Sequence, residues 1–186
     1  GKYFIASIHR EENVDNPESL KKIVHCFNEL YDEYGYPVVV STHPRTKNRL
    51  DKLGLDAGSR DIRFLKPFGF FDYNKLQKDS FCAISDSGTI SEESAMLDFP
   101  AVTIRQSIER PEALDAGSIV LSGLDSHILI SAVNLVTNEE ELFSNREVPA
   151  EYTVENTSLR VAKLILGTAK LTNRWRNLDS FSRYEW

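Results

Sequence analysis

The sequence predicts an α/β domain built on a doubly wound parallel sheet of about six strands. Three observations carry this expectation. Short apolar runs alternate with longer stretches of helical periodicity, as where Val38–Thr42 gives way to a helical segment closed by Gly54. The run Phe81-Cys82-Ala83-Ile84 is apolar at every position, the pattern of a strand covered on both faces. The stretch from Ser85 to Arg110 reads as strand end, tight turn, helix, turn, strand and charged loop, which is how such a fold turns backbone N–H groups toward an anion.

Taken in order, the first strand is Lys2–Ile8, which delivers His9 to its carboxyl end. Arg10–Asn16 is a polar loop ending in a cap, with Pro17 at the first helical position. Leu20, Ile23, Val24, Phe27, Leu30 and Tyr31 recur at helical spacing, so 18–34 is an amphipathic helix stopped by Gly35. Val38–Thr42 is the second strand. His43 and Arg45 follow it as wall residues of a crevice, and Thr46–Leu53 is a short helix. Ile62–Leu65 is the third strand.

The segment Lys66–Tyr73 crowds three phenylalanines and a tyrosine around Gly69. One reading is a hydrophobic staple for a helix capped by Asp72 and containing Leu76. The other is a nucleobase slot, where stacking of an aromatic ring on a base contributes ~1–3 kcal/mol. Phe81–Ile84, Ala101–Ile104 and Ser118–Leu121 complete the strands. Pro111 opens a short helix, Ser126–Thr137 forms another, and Asn156 or Thr157 caps a last one running to Gly167. Residues 1–168 thus form one domain and 169–186 a polar tail with Trp175 and Trp186.

The turn Asp86-Ser87-Gly88-Thr89 is the candidate ligand site. Gly88 permits close backbone approach or positive φ, Ser87 and Thr89 supply hydroxyls, and a helix starting near Ile90 aims its positive end at the turn. This is an anion seat without a cation of its own. Glu92 and Glu93 fall in the first helical turn, where a carboxylate gains roughly 0.3–1 kcal/mol from the dipole. Either caps the helix, or accepts hydrogen bonds from two ribose hydroxyls, as acidic residues do in dinucleotide-binding folds. Beyond Ile104, the loop holding Arg105 and Arg110 lies at a strand's carboxyl end, where an arginine suits a diphosphate. His9 either bonds neighbouring backbone or donates to a ligand.

Composition bounds the function. With 186 residues, 41% hydrophobic and 27% charged, the chain is an ordinary globular domain that can bury a sizeable core. A net charge of −6 argues against a general nucleic-acid or anionic-membrane surface, so phosphate affinity has to be local and geometric. Cys26 and Cys82 form no metal spacing and suit a reducing compartment. No apolar run reaches ~18 residues, and no signal peptide is visible. A soluble, cytoplasmic protein is expected. The chain enters its first strand immediately after Gly1, without an initiator Met, which predicts that a domain precedes it.

HREEN at 9–13, SDSGTISEES at 85–94 and IERPEALDAG at 108–117 each follow a predicted strand. In this order they resemble the carboxyl-terminal half of the non-hydrolysing UDP-N-acetylglucosamine 2-epimerases, over Lys2 to Val136. The common form of the family's turn has two glycines after the serine, whereas the second is Thr89 here. With the ERPEALDAG wording, this points to the branch that makes UDP-N-acetyl-L-fucosamine for capsule or O-antigen, inverting C2 of a 6-deoxy-L-hexosamine nucleotide.

The resemblance implies a Rossmann-like domain, one half of a two-domain enzyme of the glycosyltransferase-B type, with no cofactor and no metal. No G-x-G-x-x-G follows the first strand, which argues against a dinucleotide site. By the same resemblance, the backbone of Phe68 and the ring of Tyr73 hold uracil, and Glu93 rather than Glu92 holds the ribose. Ser87, Gly88 and Thr89 hold the diphosphate, and Arg110 with His9 the bridging region. His9 is also the single catalytic candidate, because a group titrating near neutrality can assist the departing nucleotide.

The family reaction is anti elimination of UDP to an unsaturated sugar, followed by its return with C2 inverted. The groups that move the C2 proton belong to the amino-terminal half. The chain alone is therefore expected to bind UDP weakly and not to epimerise, since half a cleft cannot hold a near-attack geometry. The full-length enzyme is expected to be a homodimer. Other readings are a glycosyltransferase donor domain using the same seat, a hydrolysing epimerase, and a non-enzymatic UDP-sugar sensing module.

Overall fold

The computed structural model describes residues 1–55, 58, 60–107, 111–138 and 148–175. The backbone divides into two compact units, Gly1–Tyr152 and Thr153–Trp186. The division falls ahead of the last long helix. Tyr152 packs into the core of the first unit and closes it.

The first unit is organised on a six-stranded sheet. Its strands are β1 (Phe4–Ile8), β2 (Val38–Thr42), β3 (Ile62–Leu65), β4 (Cys82–Ser85), β5 (Ala101–Thr103) and β6 (Val120–Leu121). All neighbours pair in parallel in the order β3-β2-β1-β4-β5-β6, so the predicted doubly wound sheet is what forms. The winding direction reverses between β1 and β4, the place where open α/β sheets leave a crevice beyond the strand ends.

Helix starts follow their caps. The loop expected at 10–16 contains one helical turn, α1 (Glu11–Val14). In α2 (Pro17–Tyr34), Asn16 Oδ1 accepts from the N–H groups of Glu18 and Ser19 at 2.9 and 3.2 Å, and Gly35 ends the helix at φ 64°. Helix α3 (Pro44–Leu53) begins ahead of the expected Thr46 because His43 Nδ1 accepts from the Arg45 N–H at 3.2 Å. Helix α4 (Phe70–Asp79) also starts early. Gly69 holds its cap position without a side-chain bond, so Asp72 is a first-turn acid and not the expected cap. Then come α5 (Ile90–Leu97), α6 (Glu112–Asp115) and α7 (Ser126–Thr137), the last capped by Asp125. The second unit holds α8 (Thr157–Thr168) and α9 (Thr172–Trp175). Asn156 precedes α8 at φ 58° and makes no side-chain cap bond.

Strand alternation divides the core between the two sheet faces. Phe4, Ala6 and Ile8 of β1 join Ile23, Phe27 and Leu30 of α2 and Leu129 and Val133 of α7 in one cluster. Ile5 joins Ala83, Ile90 and Phe99 in the other, with Tyr73 and Leu76 of α4 packed against it. The site is thereby hung between α4 and α5 on this second face.

One buried acid ties the two strands at the reversal point together. Asp86, immediately after β4, is fully buried. Its carboxylate accepts from the backbone N–H groups of His9 (3.1 Å) and Arg10 (3.1 Å) and from Asn13 Nδ2 (3.0 Å), with His9 Nδ1 3.4 Å away. Both oxygens face donors, which is how a buried carboxylate is made tolerable. Replacing Asp86 with Asn keeps the volume but turns an amide NH₂ against those donors. The expected loss is about 2–3 kcal/mol of stability, read as a lower urea midpoint at unchanged m-value. A midpoint equal to wild type would show that this network is not what holds the β1 and β4 ends.

Candidate functional site

A cleft of about 250 Å³ opens at the carboxyl ends of β1 and β4. It is lined by His9 from the β1 end, Ser87 and Thr89 from the turn after β4, Glu93 from α5, and Phe68 and Tyr73 from the start of α4. Six of the residues singled out in the sequence are thus brought to one cavity. Gly88 belongs to the same turn. Arg110 lies outside the described residues.

The turn is held from behind. Ser7 and Ser85 share a hydroxyl hydrogen bond of 2.7 Å across β1 and β4, and the Ser87 N–H donates to Ser85 Oγ at 3.0 Å. In front, Ser87 Oγ and Thr89 Oγ1 are 2.9 Å apart, and the Thr89 N–H donates to Ser87 Oγ at 3.3 Å. This differs from a turn in which every N–H is free. Ser87 spends its own inward, leaving the N–H groups of Gly88 and Ile90 without partners among the described residues. With the positive end of α5 behind them, these remain suited to an oxyanion.

Gly88 does not use positive φ, since the glycines in the left-handed region lie elsewhere. A methyl built on it would lie 3.7 Å from Arg10 Nη2 and 3.8 Å from Arg105 Nη1. The turn has no cation of its own, and cations reach it from other elements: Arg105, from the loop expected to serve a diphosphate, and Arg10, which was given no such role. The loop held by Asp86 and the end of β5 carry two guanidinium groups to the turn, from positions far from it in sequence. Arg105 is 3% exposed, so its charge acts in a poorly screened setting.

Glu93 and Glu92 part company on α5. Glu93 lines the cleft and its Oε2 accepts from Gln77 Nε2 at 2.8 Å, whereas Glu92 does not line it. Tyr73 packs against the second core cluster, and its hydroxyl is buried outside hydrogen-bond geometry. Burial pushes this phenol up to about 12; the Glu93 and Asp86 carboxylates add to the rise and the nearby Ser7 hydroxyl offsets part of it. Tyr73 is consequently a neutral donor across the neutral range. Phe68 is half-buried against the same cluster, and the exposed ring at the cleft wall is Phe70, 74% accessible.

The wall residues expected after β2 are spent elsewhere. Arg45 donates to Glu11 Oε1 at 2.8 Å and to the Asp15 carboxylate, tying α3 to α1, and His43 caps α3. Residues given no role in the sequence are Arg10, Phe70 and Gln77, and Asp86, named there as part of the turn, holds backbone instead. Phe70 was legible as part of the aromatic run. Gln77 had a weaker signal, one helical turn beyond Tyr73 on α4.

Comparison with known proteins adds to this geometry. The sequence model of the UDP-N-acetylglucosamine 2-epimerase family matches residues 1–166. The UDP-N-acetylglucosamine 2-epimerase of Methanocaldococcus jannaschii is 36% identical over 146 residues, 77% of this chain and 40% of that protein. Its structure in complex with UDP-GlcNAc and UDP superposes with a TM-score of 0.78 at 32% identity, over 88% of this chain and 45% of that one. The Rickettsia bellii UDP-N-acetylglucosamine 2-epimerase structure gives 0.77 at 38% identity, over 93% and 46%. The chain spans less than half the length of these relatives. From the reversal-point cleft, the Ser-Gly-Thr turn before α5 and these matches, the chain is a member of the UDP-N-acetylglucosamine 2-epimerase family.

Proposed function

We propose that this chain is the UDP-holding half of a two-domain sugar-nucleotide 2-epimerase. One observation carries the reading: a single cleft joins an aromatic wall, a carboxylate and a hydroxyl-rich turn at a helix start, the three kinds of group that a base, a ribose and a diphosphate require. In this reading Phe68 and Tyr73 receive uracil and Glu93 the ribose. Ser87, Gly88 and Thr89 seat the diphosphate, and His9 with Arg110 attends the bridging oxygen. Arg10 and Arg105 add the positive charge that a departing diphosphate needs.

The relatives support the substrate class, one of them having been crystallised with UDP-GlcNAc and UDP. The finer assignment is UDP-N-acetyl-L-fucosamine formation for capsule or O-antigen, and Thr89 supports it. Where a second glycine would leave the turn bare, the Thr89 and Ser87 hydroxyls share a hydrogen bond of 2.9 Å. The reaction is elimination of UDP from C1 with the proton from C2, leaving a C1–C2 double bond, followed by re-addition, with the C2 proton moved by groups of a second domain. In this reading the full-length protein is a cytoplasmic homodimer, and this chain by itself binds UDP without turning over substrate.

Two measurements test it. Glu93→Ala is expected to weaken UDP binding about tenfold or more in titration calorimetry, the range for a hydrogen bond to a charged group; unchanged affinity removes Glu93 from the ribose. The complete two-domain enzyme in D₂O is expected to incorporate deuterium at C2 of the nucleotide sugar. Product formed with C2 still protiated would favour a glycosyltransferase, and free UDP with free sugar a hydrolysing epimerase.

A further inference from the structure

Gln77 is 1% exposed in the middle of α4, and it lines the cleft beside Glu93. Its neighbours Tyr73 and Leu76 pack against the second core cluster, so an apolar residue would serve at 77 if packing were its only task. Instead the side chain bridges α4 to α5, with Nε2 donating to Glu93 Oε2 at 2.8 Å. That bond also fixes the amide's orientation, because only the NH₂ end can donate to a carboxylate. The other end, Oε1, is buried without a partner. An unpaired buried acceptor beside a cavity is a costly arrangement for the empty protein, and a ligand hydroxyl would relieve it.

Resting on the reading of Glu93 as the ribose partner, we propose that Gln77 is a positioning residue that makes the seat selective for a ribonucleotide. By holding Oε2 of Glu93 it leaves Oε1 to accept from the ribose diol, and its own Oε1 is a second acceptor for the same pair of hydroxyls. A carboxylate free to rotate would lose that registration. An apolar residue at 77 would keep the fold and lose the choice between ribose and deoxyribose.

The test is titration calorimetry with UDP and 2′-deoxyuridine 5′-diphosphate. Wild type is expected to prefer UDP by about tenfold or more, and Gln77→Met to bring the two ligands within about threefold. A packing defect alone would weaken both ligands together and leave their ratio unmoved. A wild-type ratio retained in Gln77→Met overturns the inference while leaving Glu93 on the ribose. Equal affinity for both ligands in wild type overturns the ribose reading and the inference with it.

Gln77→Glu supplies an independent arm if the methionine variant does not fold. Two adjacent carboxyls share a proton, and the protonated partner donates to Glu93 as the amide does. Its ratio is expected to climb toward the wild-type value as pH falls from about 8 to about 5, and a flat ratio overturns the inference. Titration of the ligand's phosphate affects both nucleotides alike and cancels.

Discussion

The architecture of the site depends on one buried carboxylate. Asp86 sits where β4 ends and draws in the backbone N–H groups of His9 and Arg10, together with the Asn13 amide. Without a compensating acceptor those donors would be stranded beside the sheet, at about 1–3 kcal/mol each. With it, the loop after β1 is forced to run across the mouth of the β4 turn. His9 reaches the cleft and the Arg10 guanidinium reaches Gly88 because their backbone is pinned, and the crevice at the reversal of the sheet becomes a walled site.

The same constraint explains how an acidic chain acquires an anion seat. A net charge of −6 leaves no broad positive field, so attraction has to be made at short range. It comes from the N–H groups of Gly88 and Ile90, unpartnered among the described residues, the Ser87 and Thr89 hydroxyls, and the arginines 10 and 105 flanking Gly88. The Ser7–Ser85 hydroxyl pair behind the turn then fixes which N–H groups remain available, by drawing the Ser87 N–H inward. Rigidity behind and open donors in front suit a site that must hold its geometry without a ligand's help.

Much of this was legible beforehand, and the parts that were not have a common cause. Unalternated apolar runs identify the parallel strands, and β2 and β3 lie where the sequence reading put them. Asn16 with Pro17 marks the start of α2 because the cap acts over a few residues. Helix starts at α3 and α4 were missed because His43 and Gly69 serve as caps, and neither is among the strongest cap formers.

The sequence by itself determined the class of fold, the turn after β4 and the residue types that gather there, since strand patterning and turn chemistry act over a few neighbouring positions. Only the tertiary structure decided that Arg10 and Arg105 stand beside Gly88, that Asp86 is spent on backbone rather than on a ligand, and that Gln77 clamps Glu93. Each of these joins residues 16 or more positions apart. Such contacts come from strand order and helix placement on the sheet, and no local propensity encodes them.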